Sequence, residues 1–340
     1  MRSERYSRQT LFAPIGDKGQ LSISSKNVLV IGAGALGTGC AEALVRAGVG
    51  KITIADRDYV EWSNLQRQQL YTESDAVDSM PKAAAAMKHL MKINSDVEVE
   101  AHIMDVGPND LRRLTENTDL IIDATDNFDI RLMINDISFQ KKIPWIYGGC
   151  AGSYGITCTF LPGRSLCLNC LMEDIPSSSM TCDTAGIISP AVSLVVSFQV
   201  SEALKILAGD ISAVRQTLIS FDLWKNEYSS LDVQRLKKRG CPTCGADPRY
   251  PYLQYDNQLK TAVLCGRDAV QIRPSKMVDV DLEHMASQLQ RHMDRVDRNQ
   301  YLLACQTGKH RIVLFRDGRT LIHGTKDITE AKSLYHRYLN

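Results

Sequence analysis

The stretch Gly32-Ala-Gly34-Ala-Leu-Gly37 sets three glycines at the spacing of a phosphate-binding turn, after the apolar run Val28–Ile31 and before an amphipathic stretch to Val49. Glycine lets a backbone approach phosphate oxygens, and the start of the following helix turns unpaired N–H groups towards them. Asp56 closes a second strand, Ile54-Ala-Asp56, about 22 residues after Gly34, where a carboxylate accepts hydrogen bonds from ribose hydroxyls. Incidental glycines in an ordinary strand, turn and helix would not call for that acid, so the unit reads as a nucleotide site. Taken alone, it suits NAD or FAD.

The polar residues downstream argue against both. Asp58 and then Ser63-Asn64-Leu-Gln-Arg67-Gln68-Gln69 follow a strand's carboxyl end, where ligands bind in open α/β sheets. A dehydrogenase needs apolar surroundings for adenine there and has no call for an asparagine and an arginine directed at phosphates. Pro81-Lys82 opens an alanine-rich helix to about Asn94. A lysine beside a helix N-terminus is unfavourable unless an anion shares the place. Leu120-Ile-Ile-Asp-Ala-Thr-Asp126-Asn127 ends a buried strand with two acids and a threonine, oxygen donors that suit Mg²⁺ in phosphate company.

Cys167-Leu-Asn-Cys170 and Cys241-Pro-Thr-Cys244 are two CxxC knuckles, the ligand set of a tetrahedral zinc site that ties distant segments together. Four protein ligands leave no open position, so such a zinc is structural. The long gap between the pairs exceeds that of a simple zinc ribbon, and four reduced, buried cysteines remain the alternative. Between the knuckles, Ser177-Ser-Ser-Met-Thr-Cys182-Asp-Thr-Ala-Gly186 reads as a small, polar loop. Cys182 is the candidate reactive thiol, although nothing basic lies within its loop to lower its pKa. Cys40, Cys150, Cys158, Cys265 and Cys305 lie in or near apolar contexts and read as small buried hydrophobes.

Strands and helices alternate along the positioning framework. After the glycine unit come a strand at Val97–Met104, a short helix at Pro108–Glu116, the strand from Leu120, a helix at 129–140 and a strand at Pro144–Tyr147. This predicts an α/β, Rossmann-like, mainly parallel sheet. Tyr154–Leu161, Gln216–Phe221 and Asn226–Val233 add an antiparallel extension, with an apolar helix at Pro190–Ala208. A composition shift near Asp247 divides the chain into 1–247 and 248–340. The second part predicts a small α+β domain: strands at Ala262–Cys265, Val270–Ile272, Tyr301–Cys305, Arg311–Phe315 and Thr320–His323, with helices at Leu282–Arg295 and Ile328–Tyr338. Asp317-Gly318 is a hairpin signal within it.

Forty basic against thirty-nine acidic side chains in 340 residues leave no field that would draw nucleic acid or anionic lipid. The charged segment Met1–Arg8 has no apolar core, and no apolar run approaches the ~20 residues of a membrane helix. The sequence therefore predicts a cytoplasmic protein, no membrane and no nucleic-acid partner. Arg5 and Arg8 share one side of a helical turn, and on residue type alone a solvated face is the simpler reading.

Arg5-Tyr-Ser-Arg8-Gln9, Gly32 to Gly37, Asp56-Arg-Asp58, Ser63 to Gln68, Pro81-Lys82, Thr125-Asp126-Asn127-Phe128, the paired CxxC and Thr181 to Gly186 together resemble the ThiF/MoeB/HesA adenylyltransferases, relatives of the ubiquitin-activating E1 enzymes. The resemblance spans about residues 1–247. It implies ATP-dependent adenylation of the C-terminal glycine of a ubiquitin-like sulfur carrier, ThiS or MoaD, with release of pyrophosphate. On the matching positions, Gly32, Gly34 and Gly37 would form the phosphate turn and Asp56 would hold ribose. Asn64, Arg67 and Lys82 would hold phosphates, Asp126 would hold Mg²⁺, and Arg8 would reach the ATP of the other subunit of a homodimer. Cys182 is then the candidate covalent thiol. The tail lacks the cysteine-centred loop of a rhodanese, which implies a separate sulfur donor. Two other readings stay open: an NAD- or FAD-dependent oxidoreductase, and a non-catalytic scaffold that docks a carrier.

Overall fold

Strand β1 (Asn27–Ile31) lies between β2 (Lys51–Asp56) and β4 (Leu120–Asp123), parallel to both, which is why its apolar run is unbroken. Val28 and Val30 turn to one face of the sheet and Leu29 and Ile31 to the other, all buried. Each such side chain contributes roughly 1.5–3 kcal/mol by leaving water. In a computed structural model that describes residues 3–172, 186–254, 261–263, 268–274, 278–290 and 292–339, these strands belong to an eight-stranded sheet. With β3 (Glu98–Ile103), β5 (Trp145–Ala151), β6 (Tyr154–Phe160), β7 (Thr217–Asp222) and β8 (Glu227–Asp232), its order is β3-β2-β1-β4-β5-β6-β7-β8. The pairs from β3 to β5 are parallel and those from β5 to β8 antiparallel, as the alternating pattern predicted.

Helices α1 (Gly16–Ile23), α2 (Ala35–Ala47), α3 (Lys82–Ile93) and α6 (Ser189–Ala208) flank the face that carries Val28 and Val30. Helices α4 (Pro108–Leu114) and α5 (Phe128–Lys141) flank the other. α6 corrects one expectation: its 20 residues are long and apolar enough, by length and composition, to cross a bilayer. Its inner face instead packs on β5 and β6 and carries Gln199 and Glu202, both buried and hydrogen-bonded within the protein. Gln199 Nε2 donates to the carbonyls of Asp123 and Ile146, and Gly148 leaves the space the amide fills. A core helix with polar pegs has the same composition as a membrane span.

The chain forms two compact units, Met1–Tyr255 and Asp256–Asn340. The first extends past residue 247 because Arg112 donates to the Leu253 carbonyl, and Asp136 accepts from the Tyr252 N–H. The second unit is a six-stranded antiparallel sheet, β11 (Arg295–Arg298), β12 (Leu302–Thr307), β13 (His310–Phe315), β14 (Thr320–His323), β10 (Ala269–Ile272) and β9 (Thr261–Val263), in that order. Helices α7 (Leu282–Leu289) and α8 (Ile328–Leu339) pack on it. The helix expected over 282–295 stops at Leu289, and Arg295–Arg298 pairs with β12 instead. In that strand Val296 alone turns to the core among charged neighbours, too faint an alternation to announce itself. Gly318, at φ +81°, makes the Asp317-Gly318 turn between β13 and β14.

Candidate active site

The glycine turn joins β1 to α2, and two of its glycines are demanded by the protein itself. A side chain on Gly32, at φ +94°, would strike the Ala124 carbonyl at 2.5 Å, and one on Gly37 would strike the Gly32 carbonyl at 1.9 Å. Gly34 differs. A Cβ there would meet only Gln68 Nε2 at 4.0 Å, so packing does not require the glycine and the space beside it is open to a ligand. Gly34 is also the N-cap of α2, and no side chain caps that helix. Gln68 is buried beside the turn, and its Oε1 has no hydrogen-bond partner among the described residues. An uncapped helix start, an open glycine and an orphaned buried amide fit the phosphates of a nucleotide.

Asp56 is pinned from both sides: Oδ2 accepts from the Ala33 N–H at 2.6 Å and Oδ1 from the Asp58 N–H at 2.6 Å. Burial pushes its carboxyl above the usual range, while Lys82 pulls the other way. Lys82 is buried at the start of α3, its N–H donating to the Asp58 carbonyl and its Nζ 3.5 Å from Asp58 Oδ2. The anion that a lysine at a helix start calls for is thus Asp58. Tyr71 ties the glycine turn to the start of α3, its hydroxyl lying 2.7 Å from the Ala33 carbonyl oxygen and 3.0 Å from that of Lys82.

Arg67 is half-buried, and its Nη1 donates to the Ser63 carbonyl at 2.9 Å. Asn64 is buried, and its Oδ1 accepts from the Glu61 N–H at 3.0 Å, closing the short turn that holds the loop. Asp126 is exposed just beyond β4. The acids and threonine read together as a Mg²⁺ set separate in the structure. Asp123 is fully buried, ion-paired with Arg131 at 3.0 Å, and accepts from the Thr125 hydroxyl at 2.7 Å. That leaves Asp126 as the acid open to a metal. Arg131 also donates to the carbonyls of Thr125 and Gly148 and lies across the rings of Phe128 and Tyr147. It fixes the loop that carries Asp126.

Arg8 stands apart from this cluster within its own chain. Gln9 Nε2 donates to the Ala47 carbonyl at the far end of α2, 13 residues from the glycine turn. At 1.5 Å per residue that is about 20 Å, beyond the reach of an arginine side chain. Arg8 is exposed. Cys182 lies outside the described residues.

The four knuckle cysteines come together. Their sulfurs lie within 4.8 Å of one another, with Cys167 to Cys241 and Cys170 to Cys244 both at 3.5 Å. A tetrahedral zinc at about 2.3 Å from each sulfur spaces them at about 3.8 Å, so the set fits. The N–H groups of Lys238 and Thr243 point at Cys170 and Cys241, contacts that suit thiolates. α5 braces both knuckles: Asn135 Oδ1 accepts from the Leu168 N–H, and Asp136 Oδ1 from the Thr243 hydroxyl at 2.6 Å. Burial pushes Asp136 up to about 6.

Sequence reasoning missed Arg131, Asn135, Asp136 and Gln199. The available signal was a charge or amide inside an otherwise apolar helix, a place polar side chains occupy only when they are paired.

A model of the ThiF family matches residues 6–243. The chain is 54% identical over 335 residues, 98% of its length and 99% of the other's, to a protein of Bacillus subtilis (strain 168) named sulfur carrier protein ThiS adenylyltransferase. It is 35% identical over 248 residues, 72% of its length and 97% of the other's, to an Escherichia coli (strain K12) protein of the same name. Among solved structures, E. coli MccB shares the fold, with a TM-score of 0.64 at 20% identity over 73% of this chain and 74% of that one.

Proposed function

Because the chain belongs to the ThiF family, we propose that it adenylates the C-terminal glycine of a ubiquitin-like sulfur carrier of the ThiS type, using ATP and releasing pyrophosphate. The observation that carries this reading is 54% identity over nearly the full length to the Bacillus ThiS adenylyltransferase, in a chain whose glycine turn is tied to Asp56 directly and to Lys82 through Tyr71. The oxidoreductase reading has only the glycine fingerprint behind it.

The carrier carboxylate is already a nucleophile, so no general base is needed. Its oxygen attacks the α-phosphorus, the bond from that phosphorus to the bridging oxygen breaks, and pyrophosphate leaves with the electron pair. The obstacle is repulsion between carboxylate and triphosphate. Lys82, Arg67 and the N–H groups at the start of α2 offset that charge, while Asp56 and Asn64 orient ribose and phosphate. Mg²⁺ held by Asp126 would add neutralisation at the phosphates. No thiol is needed for this step, so Cys182 has no part in it.

The distance between Arg8 and its own glycine turn supports a homodimer in which Arg8 of each chain serves the other's site. The four-cysteine cluster supports a structural zinc, and a reducing cytoplasm suits such thiols. About three quarters of this chain matches nearly all of the E. coli relative, which supports a reading in which the remainder takes no part in the shared reaction. Sulfur would come from a separate donor. The test is ATP–pyrophosphate exchange with purified carrier, which should vanish when the carrier's terminal glycine is removed.

A further inference from the structure

The loop that carries Asn64 and Arg67 also places Gln68 beside the glycine turn. The Gln68 N–H donates to the Asn64 carbonyl at 2.9 Å, and the Gln68 carbonyl accepts from the Tyr71 N–H at 3.1 Å. Tyr71 reaches the Ala33 carbonyl with its hydroxyl, so this part of the loop is tied to the residue before Gly34. Gln68 is 4% exposed, and its side-chain amide makes no hydrogen bond among the described residues. Burying an amide takes two donors and an acceptor out of water, and an unpaired amide recovers none of that cost. Beyond the turn and its own helix, Nε2 is the one atom among the described residues that a Cβ on Gly34 would meet, at 4.0 Å. The donor end of the amide thus borders the glycine at which α2 begins uncapped.

We infer that Gln68 binds the phosphate next to the ribose, its Nε2 donating to an oxygen of the α-phosphate at Gly34. Asp56, the ribose residue of the adenylation reading, accepts from the Ala33 N–H at 2.6 Å, so ribose and turn meet at Ala33. Gly34 is the next residue along the turn, and the α-phosphate is the next group along the nucleotide. That phosphate is the one the carrier carboxylate attacks, and it stays in the acyl-adenylate. Gln68 therefore holds both the substrate and the product of the attack. An amide N–H donating to a phosphate oxygen makes a charge-assisted bond, roughly twice as strong as one between neutral groups. The fold gives this amide no partner of its own, and the phosphate supplies one.

The inference rests on the adenylation reading for the placement of ribose and phosphates, and its test separates the two. Calorimetric titrations of the full-length protein with ATP and with AMP, both with Mg²⁺, would be run on the wild type, Gln68→Met and Gln68→Glu, with melting curves recorded without nucleotide. Gln68→Met keeps the length of the side chain and removes both polar ends. It should weaken ATP and AMP by a similar factor, about tenfold, because both carry the phosphate next to the ribose. Without nucleotide it should melt at or above the wild-type temperature, since it removes an unpaired buried amide. Gln68→Glu directs a negative charge at the phosphate and should weaken both nucleotides more than Gln68→Met does. Unchanged ATP affinity in Gln68→Met, ATP weakened with AMP unchanged, or Gln68→Glu binding as well as Gln68→Met overturns the inference. So does a Gln68→Met protein that melts below wild type or does not fold, because the amide would then serve the loop itself. If Gln68→Glu does not fold, the Gln68→Met titrations decide. A wild type that binds both nucleotides through Gln68 but fails to exchange pyrophosphate with carrier present would overturn the reaction and leave the contact standing.

Discussion

Lys82 and Asp58 face each other across 3.5 Å at the first turn of α3, both largely buried. A cation at a helix N-terminus opposes the macrodipole, and the carboxylate of Asp58 offsets that cost before any nucleotide is present. In the proposed reaction an incoming phosphate would give Lys82 a second anion, so that binding would alter a charge balance already set by the fold.

Asp126 and Lys82 should therefore fail in different ways when removed. Asp126→Ala takes away an exposed side chain, so its melting temperature should stay within about 2 °C of wild type. Its pyrophosphate exchange should fall about 10²- to 10³-fold. Lys82→Ala should lose comparable activity and also melt at a lower temperature than Asp126→Ala, because Asp58 loses the cation that faces it at the start of α3. Exchange rates and melting curves on both variants check this; near-normal exchange in Asp126→Ala would remove that residue from the site.

Arg8 and Asp126 should complement between chains. Mixed dimers of Arg8→Ala and Asp126→Ala chains contain one site with both residues intact, so exchange should recover to about a quarter of wild type after random reassortment. Native mass spectrometry establishes that mixed dimers form. No recovery in a confirmed mixed population would speak against a contribution from the second subunit.

The cysteine cluster should hold about one zinc per chain. Cys170→Ser, or strong chelation, should lower the melting temperature and release the metal, because the site joins the 160s to the 240s segment. Elemental analysis of freshly purified, reduced protein that finds no zinc would rule the site out.

Asp136 gives a pH dependence with a definite sign. Its carboxyl is pushed up to about 6 by burial, above the unfolded value of about 3.9. The native state therefore binds the extra proton, and the stability it contributes is full below about 4 and lost as pH rises through about 6. Asp136→Asn resembles the protonated side chain and should not titrate. The stability of wild type minus that of Asp136→Asn should fall between pH 4 and 7, read by chemical denaturation at each pH. A difference that is flat or rises across that window would contradict the burial effect.

The parallel half of the sheet was legible because each strand is an unbroken apolar run set off by turn residues, and each helix has a marked start. The candidate site residues were legible as types, since the glycines, Asp56 and Asp126 lie at or just beyond strand ends and Lys82 at a helix start, places where side chains orient ligand rather than fill core. Partnership was not. Asp123 and Asp126 look alike in sequence, yet Arg131, on the next helix, claims the first and leaves the second exposed. Sequence spacing does not reveal which of two nearby acids a buried cation will take. Nor does it separate a core helix from a membrane span when both are apolar: Gln199 and Glu202 within Ser189–Ala208 were the discriminating residues. In the second unit, β11 escaped notice because a strand held by one inward valine has almost no pattern.

The central claim is that this chain activates a sulfur carrier as an acyl-adenylate, and carrier-dependent exchange of labelled pyrophosphate into ATP tests it most directly. Purified protein with Mg²⁺ and ATP would be assayed alone, with a ThiS-type carrier, with a MoaD-type carrier, and with a ThiS-type carrier lacking its terminal glycine. The account predicts label in ATP with the intact ThiS-type carrier, and none without carrier or without that glycine. Exchange that ignores the carrier, or its absence with an intact ThiS-type carrier and ATP-bound protein, would contradict it.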